Sequence, residues 1–175
     1  MLDYIALHLP YAALKVSLWR WAYEPGIPDD APDTSSPLLT DIEGYARRQE
    51  IPSQEEFDDW GSQGQTYYLE SLARPVPAEV LTSLEERFAL ARAANYDVRW
   101  AYLLACAESV YEAVLPAIKR LLSQVGRTKY VKSIFLALLA HQSTRDWAIV
   151  TFAEVRGDYH PMVRAVVGKL VAKAA

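Results

Sequence analysis

Apolar side chains recur at helical spacing along most of the chain. After Pro77 they return every three or four residues, for example at Val110, Val114, Ile118 and Leu121. This spacing places them on one face of an α-helix, which can pack against a neighbouring helix. The pattern therefore predicts a succession of amphipathic helices, each about 10 to 16 residues long, with short breaks between them.

Helices of this length joined by short breaks favour stacked antiparallel pairs. We predict an all-α fold, a right-handed, solenoid-like stack of helix pairs similar in plan to the HEAT and armadillo superhelices. Residues 145–159 are ambiguous, because Trp147, Ile149, Val150 and Phe152 are also common in strands. We predict a helix there, since the nearby sequence offers no second strand to satisfy the backbone of the first.

Local signals mark several helix ends. Ser53 and Glu56 have the spacing of a capping box. Thr40 is a candidate cap for the helix that follows it, and Pro161 suits the first position of the last helix. The segment WGSQGQ, residues 60–65, contains two glycines but lacks the Lys-Ser/Thr of a phosphate-binding loop. We interpret it as a turn.

A proline-rich stretch divides the chain. The sequence EPGIPDDAPDTSSP carries four prolines, a glycine and three aspartates, a composition typical of an extended, stiff linker. We therefore predict three segments. Residues 1–24 form the helical end of a preceding domain that this sequence lacks, residues 25–37 form the linker, and residues 38–175 form a C-terminal helical domain.

Charge is distributed unevenly along the chain. The formal net charge of −4 argues against general nucleic-acid binding. Residues 24–59 hold eleven acids and two bases, whereas residues 113–145 hold six bases and no acid. The basic run is either a solvated face or an anion site.

The apolar N-terminal stretch is interrupted by Asp3, Lys15 and Arg20, so we expect neither a membrane span nor a signal peptide.

The residue types that carry most catalytic chemistry are sparse. The chain has three histidines, His8, His141 and His160, and none of them belongs to an HExxH motif. We expect no metal or other cofactor and no catalytic residue on this chain, and we interpret His160 as a helix cap. The single cysteine, Cys106, lies in an apolar run, which predicts a buried thiol and a reducing, cytoplasmic compartment.

Two cations flank a predicted helix start. Gly126 ends one apolar pattern and a new one opens near Thr128, between Arg127 and Lys129. Each positive charge opposes the helix dipole by roughly 0.3–1 kcal/mol. The same arrangement attracts a carboxylate or phosphate, because backbone N–H groups, a guanidinium and an ammonium converge there. No acid in the surrounding run offsets these charges, so the pair is a candidate anion site, with a solvated basic face as the alternative.

An ordered set of motifs resembles a known family. The motifs are WAYEPGIP at residues 21–28, RPVP at residues 74–77, VRWAYL at residues 98–103, GRTKY at residues 126–130 and HPMVRAVVGK at residues 160–169. In their order and spacing they are similar to the C-terminal helical domain of leukotriene A4 hydrolase and related zinc aminopeptidases, including aminopeptidase B. The resemblance extends from about Trp19 to the C-terminus.

The resemblance implies a role for the cation pair. In that family the helical domain closes over a catalytic domain, and in the bifunctional members a Gly-Arg-x-Lys pair lines the substrate channel and binds the carboxylate of a lipid epoxide or of a short peptide. Carried onto this chain, the carboxylate-binding residues are Arg127 and Lys129. The zinc motif and the catalytic groups would lie in the missing domain of the same enzyme, so this chain alone would be non-catalytic.

A second interpretation belongs to a different class. A stand-alone helical solenoid can act as a protein-binding adaptor, with the acidic N-terminal third and the basic middle as separate contact surfaces. The two interpretations differ in what residues 2–22 pack against. In the enzyme domain this apolar stretch packs on a missing partner, whereas in an adaptor it packs on the chain's own core.

Overall fold

The computed structural model describes residues 2–32 and 35–174, apart from the side chains of residues 12–14. The predicted linker, residues 25–37, includes residues 33 and 34, which lie outside the described residues. Residue 1, where the first predicted segment begins, and residue 175, where the third one ends, also lie outside the described residues.

The chain divides into two compact units, of which residues 1–36 form the first. Its helices are α1 Leu2–His8, α2 Pro10–Lys15 and α3 Leu18–Tyr23. Neither α1 nor α3, both fully described, contains a buried residue. A carboxylate stabilises the unit, because Asp30 accepts hydrogen bonds from the backbone N–H of Ser17 and, at 3.0 Å, from the indole of Trp21.

The second unit, residues 37–175, is helical along most of its length. Its α-helices are α4 Pro37–Arg48, α5 Gln54–Asp59, α6 Gly61–Ser71, α7 Ala78–Phe88, α8 Tyr96–Glu108, α9 Leu115–Gln124, α10 Thr128–Ala140, α11 Gln142–Val155 and α12 Pro161–Ala174. Three short 3₁₀ turns lie at Leu90–Arg92, Glu112–Val114 and Arg156–Asp158. The described residues contain no strand, and the predicted all-α class is confirmed.

The helices of the second unit form two layers. In one layer α4, α6, α8, α10 and α12 pack side by side in chain order. On the other side α9 contacts α8 and α11, while α11 also contacts α10 and α12. The predicted stack of helix pairs is thus present, and α8 and α10 lie at its centre.

The central position of α8 follows from its sequence. Eight of its thirteen residues are buried, including Trp100, Tyr102 and Cys106. A helix that is apolar on all sides must be covered on all sides. By contrast, α9 buries a single apolar face, with Ile118 and Leu121 turned toward the core. The difference places α8 inside the stack and α9 at its edge.

Several local predictions are confirmed. Ser53 accepts a hydrogen bond from the Glu56 N–H, and the Glu56 carboxylate accepts one from the Ser53 N–H, which completes the capping box at α5. The ambiguous residues 145–159 are mostly helical, within α11. At the start of α12, Nδ1 of His160 accepts a hydrogen bond of 3.3 Å from the Met162 N–H, as a capping residue does.

Two predictions about local structure are wrong. The first helix of the second unit begins at Pro37 and not after Thr40, because proline suits the first helical position. The WGSQGQ segment is not a turn, since α6 already begins at Gly61. Gly64 lies inside that helix, where a Cβ would lie 2.8 Å from Trp60 Cβ at the N-cap of α6 and 3.1 Å from Ile42 Cδ1 on α4.

Candidate functional site

The predicted cation pair lies at the N-terminus of α10. After α9 ends at Gln124, the chain turns through Gly126, and Arg127 is the extended N-cap residue of α10, with φ −72° and ψ 123°. Its side chain makes no capping hydrogen bond to the described residues of α10. The first backbone N–H groups of a helix lack intrahelical acceptors, so the start of α10 presents donors beside two cationic side chains.

The neighbouring α8 brings a carboxylate to the same place. Asn95 caps α8 by accepting hydrogen bonds from the backbone N–H groups of Asp97, at 2.9 Å, and Val98, at 3.3 Å. Asp97 therefore lies in the first turn of α8, where the helix dipole favours negative charge. Because α8 and α10 pack together, its carboxylate faces the start of α10.

Asp97 lies close to both cations. Its Oδ1 atom is 3.6 Å from Arg127 Nη1 and 3.7 Å from Lys129 Nζ. Glu70 on α6 approaches Lys129 as well, with Oε1 3.7 Å from Nζ. The prediction that the cations lack local compensation is therefore wrong. The acids come from α6 and α8, which the acid-free run 113–145 could not reveal.

The ion pairs at this site are long and exposed. A charge-assisted N–H···O hydrogen bond measures about 2.7–2.9 Å, so Asp97 holds neither cation in such a bond. The side chains of Arg127 and Lys129 are 60% and 45% exposed. Exposed pairs of this kind contribute about 0–1 kcal/mol to stability. These ion pairs thus leave donors of both cations available to a ligand.

Two aromatic rings form a rigid floor beneath the cations. The Lys129 ammonium lies 4.0 Å from the centroid of the Trp100 ring, and the Arg127 guanidinium lies 5.0 Å from that of Tyr130. Arg127 also donates a hydrogen bond of 2.8 Å to the Tyr130 hydroxyl. Both rings are almost fully buried. Cation–π contacts restrain the cations without neutralising them.

The floor is itself fixed by hydrogen bonds. The Trp100 indole donates to Ser133 Oγ at 2.9 Å, and that hydroxyl donates to the Lys129 carbonyl at 2.7 Å. Burial raises the pKa of Tyr130, and its hydrogen bond with Asp97 raises it further, while Arg127 acts in the opposite direction. Tyr130 therefore stays a neutral phenol and adds no negative charge between the cations.

A cavity opens beside Lys129. It has a volume of about 300 Å³. Its lining includes Thr66, Tyr67 and Glu70 from α6, Asn95 and Asp97 from the start of α8, and Lys129. A ligand that reached the cations would find hydroxyl, amide and carboxylate groups at its side.

Other candidate chemistry is limited within the described residues. They contain no cluster of three or more His, Cys, Asp or Glu side chains that could hold a metal ion. Cys106 is buried, as predicted, and burial raises the pKa of its thiol to about 12. No helix in the described part of the chain combines the length and apolar character needed to cross a membrane.

The fold and the site together define an all-α, stacked-helix domain with a paired-cation surface site. The family model described as "Leukotriene A4 hydrolase, C-terminal" matches residues 60–171. The chain therefore belongs to that family, as the ordered motifs indicated.

Curated relatives agree with this assignment. Leucine aminopeptidase 2 of Pyricularia oryzae is 29% identical over 156 residues, which cover 84% of this chain and 25% of that protein. Leucine aminopeptidase 2 of Chaetomium globosum is 27% identical over 165 residues, covering 89% of this chain and 26% of the relative. The chain thus spans about a quarter of the length of these relatives.

A solved structure has the same fold. Native leukotriene A4 hydrolase from Saccharomyces cerevisiae superposes with a TM-score of 0.78 at 19% sequence identity. The match covers 98% of this chain and 32% of that protein.

Proposed function

We propose that this chain is the C-terminal helical domain of a leukotriene A4 hydrolase-like zinc aminopeptidase. In this proposal it closes the active-site cleft, and Arg127 and Lys129 bind the carboxylate of a short peptide substrate. The zinc ion and the groups that cleave the peptide bond belong to a preceding catalytic domain, and this domain alone hydrolyses nothing. The observation that carries the proposal is the pair of exposed cations held over the buried Trp100 and Tyr130 rings.

The chemistry of the pair suits a carboxylate. A guanidinium can donate two parallel hydrogen bonds to the two carboxylate oxygens, and an ammonium adds a point charge. The N-terminus of α10 supplies a positive dipole at the same place. Holding one end of a peptide in this way fixes its scissile bond relative to a distant metal, which lowers the entropic part of the barrier.

The first unit supports the presence of a further domain. Large apolar side chains are exposed on its short helices, including Tyr4 at 67%, Trp19 at 60% and Tyr23 at 67%. The Trp19 and Tyr23 rings lie next to each other, with centroids 5.7 Å apart, and adjoining exposed apolar surface is typical of an interaction site. The relatives are about four times longer than the stretch they share with this chain, so the occupant we propose is the catalytic domain of the same polypeptide.

The size of the native protein tests this arrangement. An immunoblot of source cells with an antibody against residues 37–175 should detect a band well above 19.7 kDa, the mass of this chain. A band at 19.7 kDa would instead favour the adaptor interpretation and remove the catalytic partner from the proposal.

Carboxylate recognition is tested by Arg127→Ala in the full-length enzyme. A hydrogen bond to a charged group is worth about 1.5–3 kcal/mol, so kcat/KM for free-acid tripeptides should fall by roughly 10- to 150-fold. The matching C-terminal amides should lose little, because they carry no charge for the guanidinium to bind. Lys129→Ala should act in the same direction.

The control is Lys119→Ala, which removes a similarly exposed cation that pairs with Glu154 on α11 at 2.6 Å. It should leave the ratio of acid to amide turnover unchanged. An equal loss for acids and amides in Arg127→Ala would contradict the carboxylate role.

A further inference from the structure

One carboxylate already occupies the space between the two cations. The single Oδ1 atom of Asp97 lies 3.6 Å from Arg127 and 3.7 Å from Lys129. The Asn95 cap fixes the backbone of Asp97 at the start of α8. The carboxylate is therefore held near the cations by the fold of the chain. A substrate carboxylate that approached the cations would meet the negative charge of Asp97 beside them.

The charges at the site nearly balance. Arg127 and Lys129 contribute two positive charges, and Asp97 and Glu70 contribute two negative ones within 3.7 Å of the cations. A ligand anion therefore gains attraction from the cations but meets repulsion from the acids. The net attraction for an anion depends on the acids as much as on the cations.

We propose that Asp97 is an internal competitor carboxylate that sets the affinity and acid selectivity of the cation pair. This inference rests on the proposed carboxylate site. In the unliganded protein Asp97 offsets the mutual repulsion of the cations and their unfavourable position at the helix start. When the substrate carboxylate binds, it occupies free donors of Arg127 and Lys129, and Asp97 remains as a nearby like charge that weakens binding.

Asp97 could instead act only by positioning the cations. The two roles predict opposite results when its charge is removed. If Asp97 competes with the substrate, removing its charge strengthens substrate binding. If Asp97 positions the cations, removing its charge weakens substrate binding. The geometry favours competition, because the Trp100 ring lies 4.0 Å from the Lys129 ammonium and the Tyr130 hydroxyl accepts a hydrogen bond of 2.8 Å from Arg127, whereas Asp97 Oδ1 lies 3.6 Å or more from both cations.

The experiment compares Asp97→Asn with wild type in the full-length enzyme, using the tripeptide Ala-Ala-Ala and its C-terminal amide. At low ionic strength KM for the free acid should fall about three- to tenfold, with kcat little changed, and KM for the amide should stay constant. Asp97→Glu, which keeps the charge, should restore the wild-type ratio of acid to amide KM. Raising the salt concentration should shrink the difference, since exposed charges are screened.

The matched control is Glu154→Gln, which removes an exposed, ion-paired carboxylate between α9 and α11. It should leave both KM values unchanged. An unchanged or higher KM for the free acid in Asp97→Asn would overturn the competitor role.

The outcome for Arg127→Ala separates the proposed function from the inference about Asp97. If Arg127→Ala loses acid selectivity while Asp97→Asn gains none, only the inference about Asp97 fails. If Arg127→Ala keeps acid selectivity, both fail.

Discussion

Glu56 combines two local contacts in one carboxylate. It accepts a hydrogen bond from the Ser53 N–H in the capping box of α5, and it accepts another from the Tyr45 hydroxyl on α4. The hydrogen bond from Tyr45 and those with Ser53 lower the pKa of Glu56 below its ordinary value of 4.5. Glu56 thus connects a helix start to the neighbouring helix by means of its negative charge.

This carboxylate gives stability a defined dependence on pH. A group with a lowered folded-state pKa contributes stability that is present above its unfolded pKa and is lost as pH falls through the folded value. Glu56→Gln should therefore lower the melting temperature at pH 7 and flatten its decline below about pH 4.5. Thermal unfolding followed by circular dichroism at several pH values measures both effects.

The control for this change is Glu55→Gln, which removes an exposed carboxylate from the same helical turn. If the two variants showed identical pH profiles, the contacts of Glu56 with Tyr45 and Ser53 would not be the source of the effect.

The hydroxyl of Ser53 provides a second test at the residue scale. Replacing a serine N-cap with alanine costs about 0.5–2 kcal/mol. Ser53→Ala should therefore reduce the free energy of unfolding by about 1 kcal/mol, measured by urea denaturation. Ser62→Ala serves as the control, because Ser62 is exposed within α6 and not at a cap. A change as large in Ser62→Ala as in Ser53→Ala would contradict the capping argument.

At the scale of elements, Gly64 inside α6 leaves room for two side chains, Trp60 at the N-cap of that helix and Ile42 on α4. A methyl group at Gly64 would meet Trp60 Cβ at 2.8 Å and Ile42 Cδ1 at 3.1 Å. Ile42 is fully buried, so it has little room to move. A side chain at position 64 would therefore have to displace Trp60 at the start of α6 and press on Ile42 of α4.

Two matched substitutions test this spacing. Gly64→Ala should destabilise the protein by about 1–3 kcal/mol, the usual range for overpacking a core. Gly168→Ala, in the interior of α12, meets only ordinary contacts, the nearest at 3.8 Å from Phe152. It should stabilise the protein by up to about 1 kcal/mol, because alanine is the better helix former. Equal effects in chemical denaturation would show that helix propensity, and not packing, decides both.

At the scale of the whole molecule, the core belongs to the second unit. The buried apolar residues of the described core run from Ile42 to Val167. In the first unit, the fully described helices α1 and α3 have seven and six residues and bury none of them. Isolated helices this short are marginal in water.

Hydrogen exchange of the 175-residue chain should reflect this difference. Amides in α1 and α3 should exchange rapidly, whereas those in α8 and α10 should open only with global unfolding. A fragment of residues 37–175 should melt within about 2 °C of the full chain, because it keeps the whole described core. Strong protection of α1, or a large loss of stability in the fragment, would contradict this division.

Much of this organisation could be predicted from the sequence because it is local. Apolar spacing predicts the helices, and the signals at Ser53 and Pro161 mark helix starts that the structure confirms. The position of Arg127 and Lys129 at the start of α10 also follows from the break at Gly126. Local signals failed at Gly64, where a glycine that usually marks a turn lies inside a helix.

The surroundings of the cation pair were decided by tertiary structure. Asp97, Glu70 and Trp100 lie far from Lys129 in the sequence and reach it only because α6, α8 and α10 pack in one layer. The sequence determined that two cations stand at a helix start, since that depends on neighbouring residues. Only the packing of helices determined which acids and rings face them, because such contacts follow from the arrangement of whole elements.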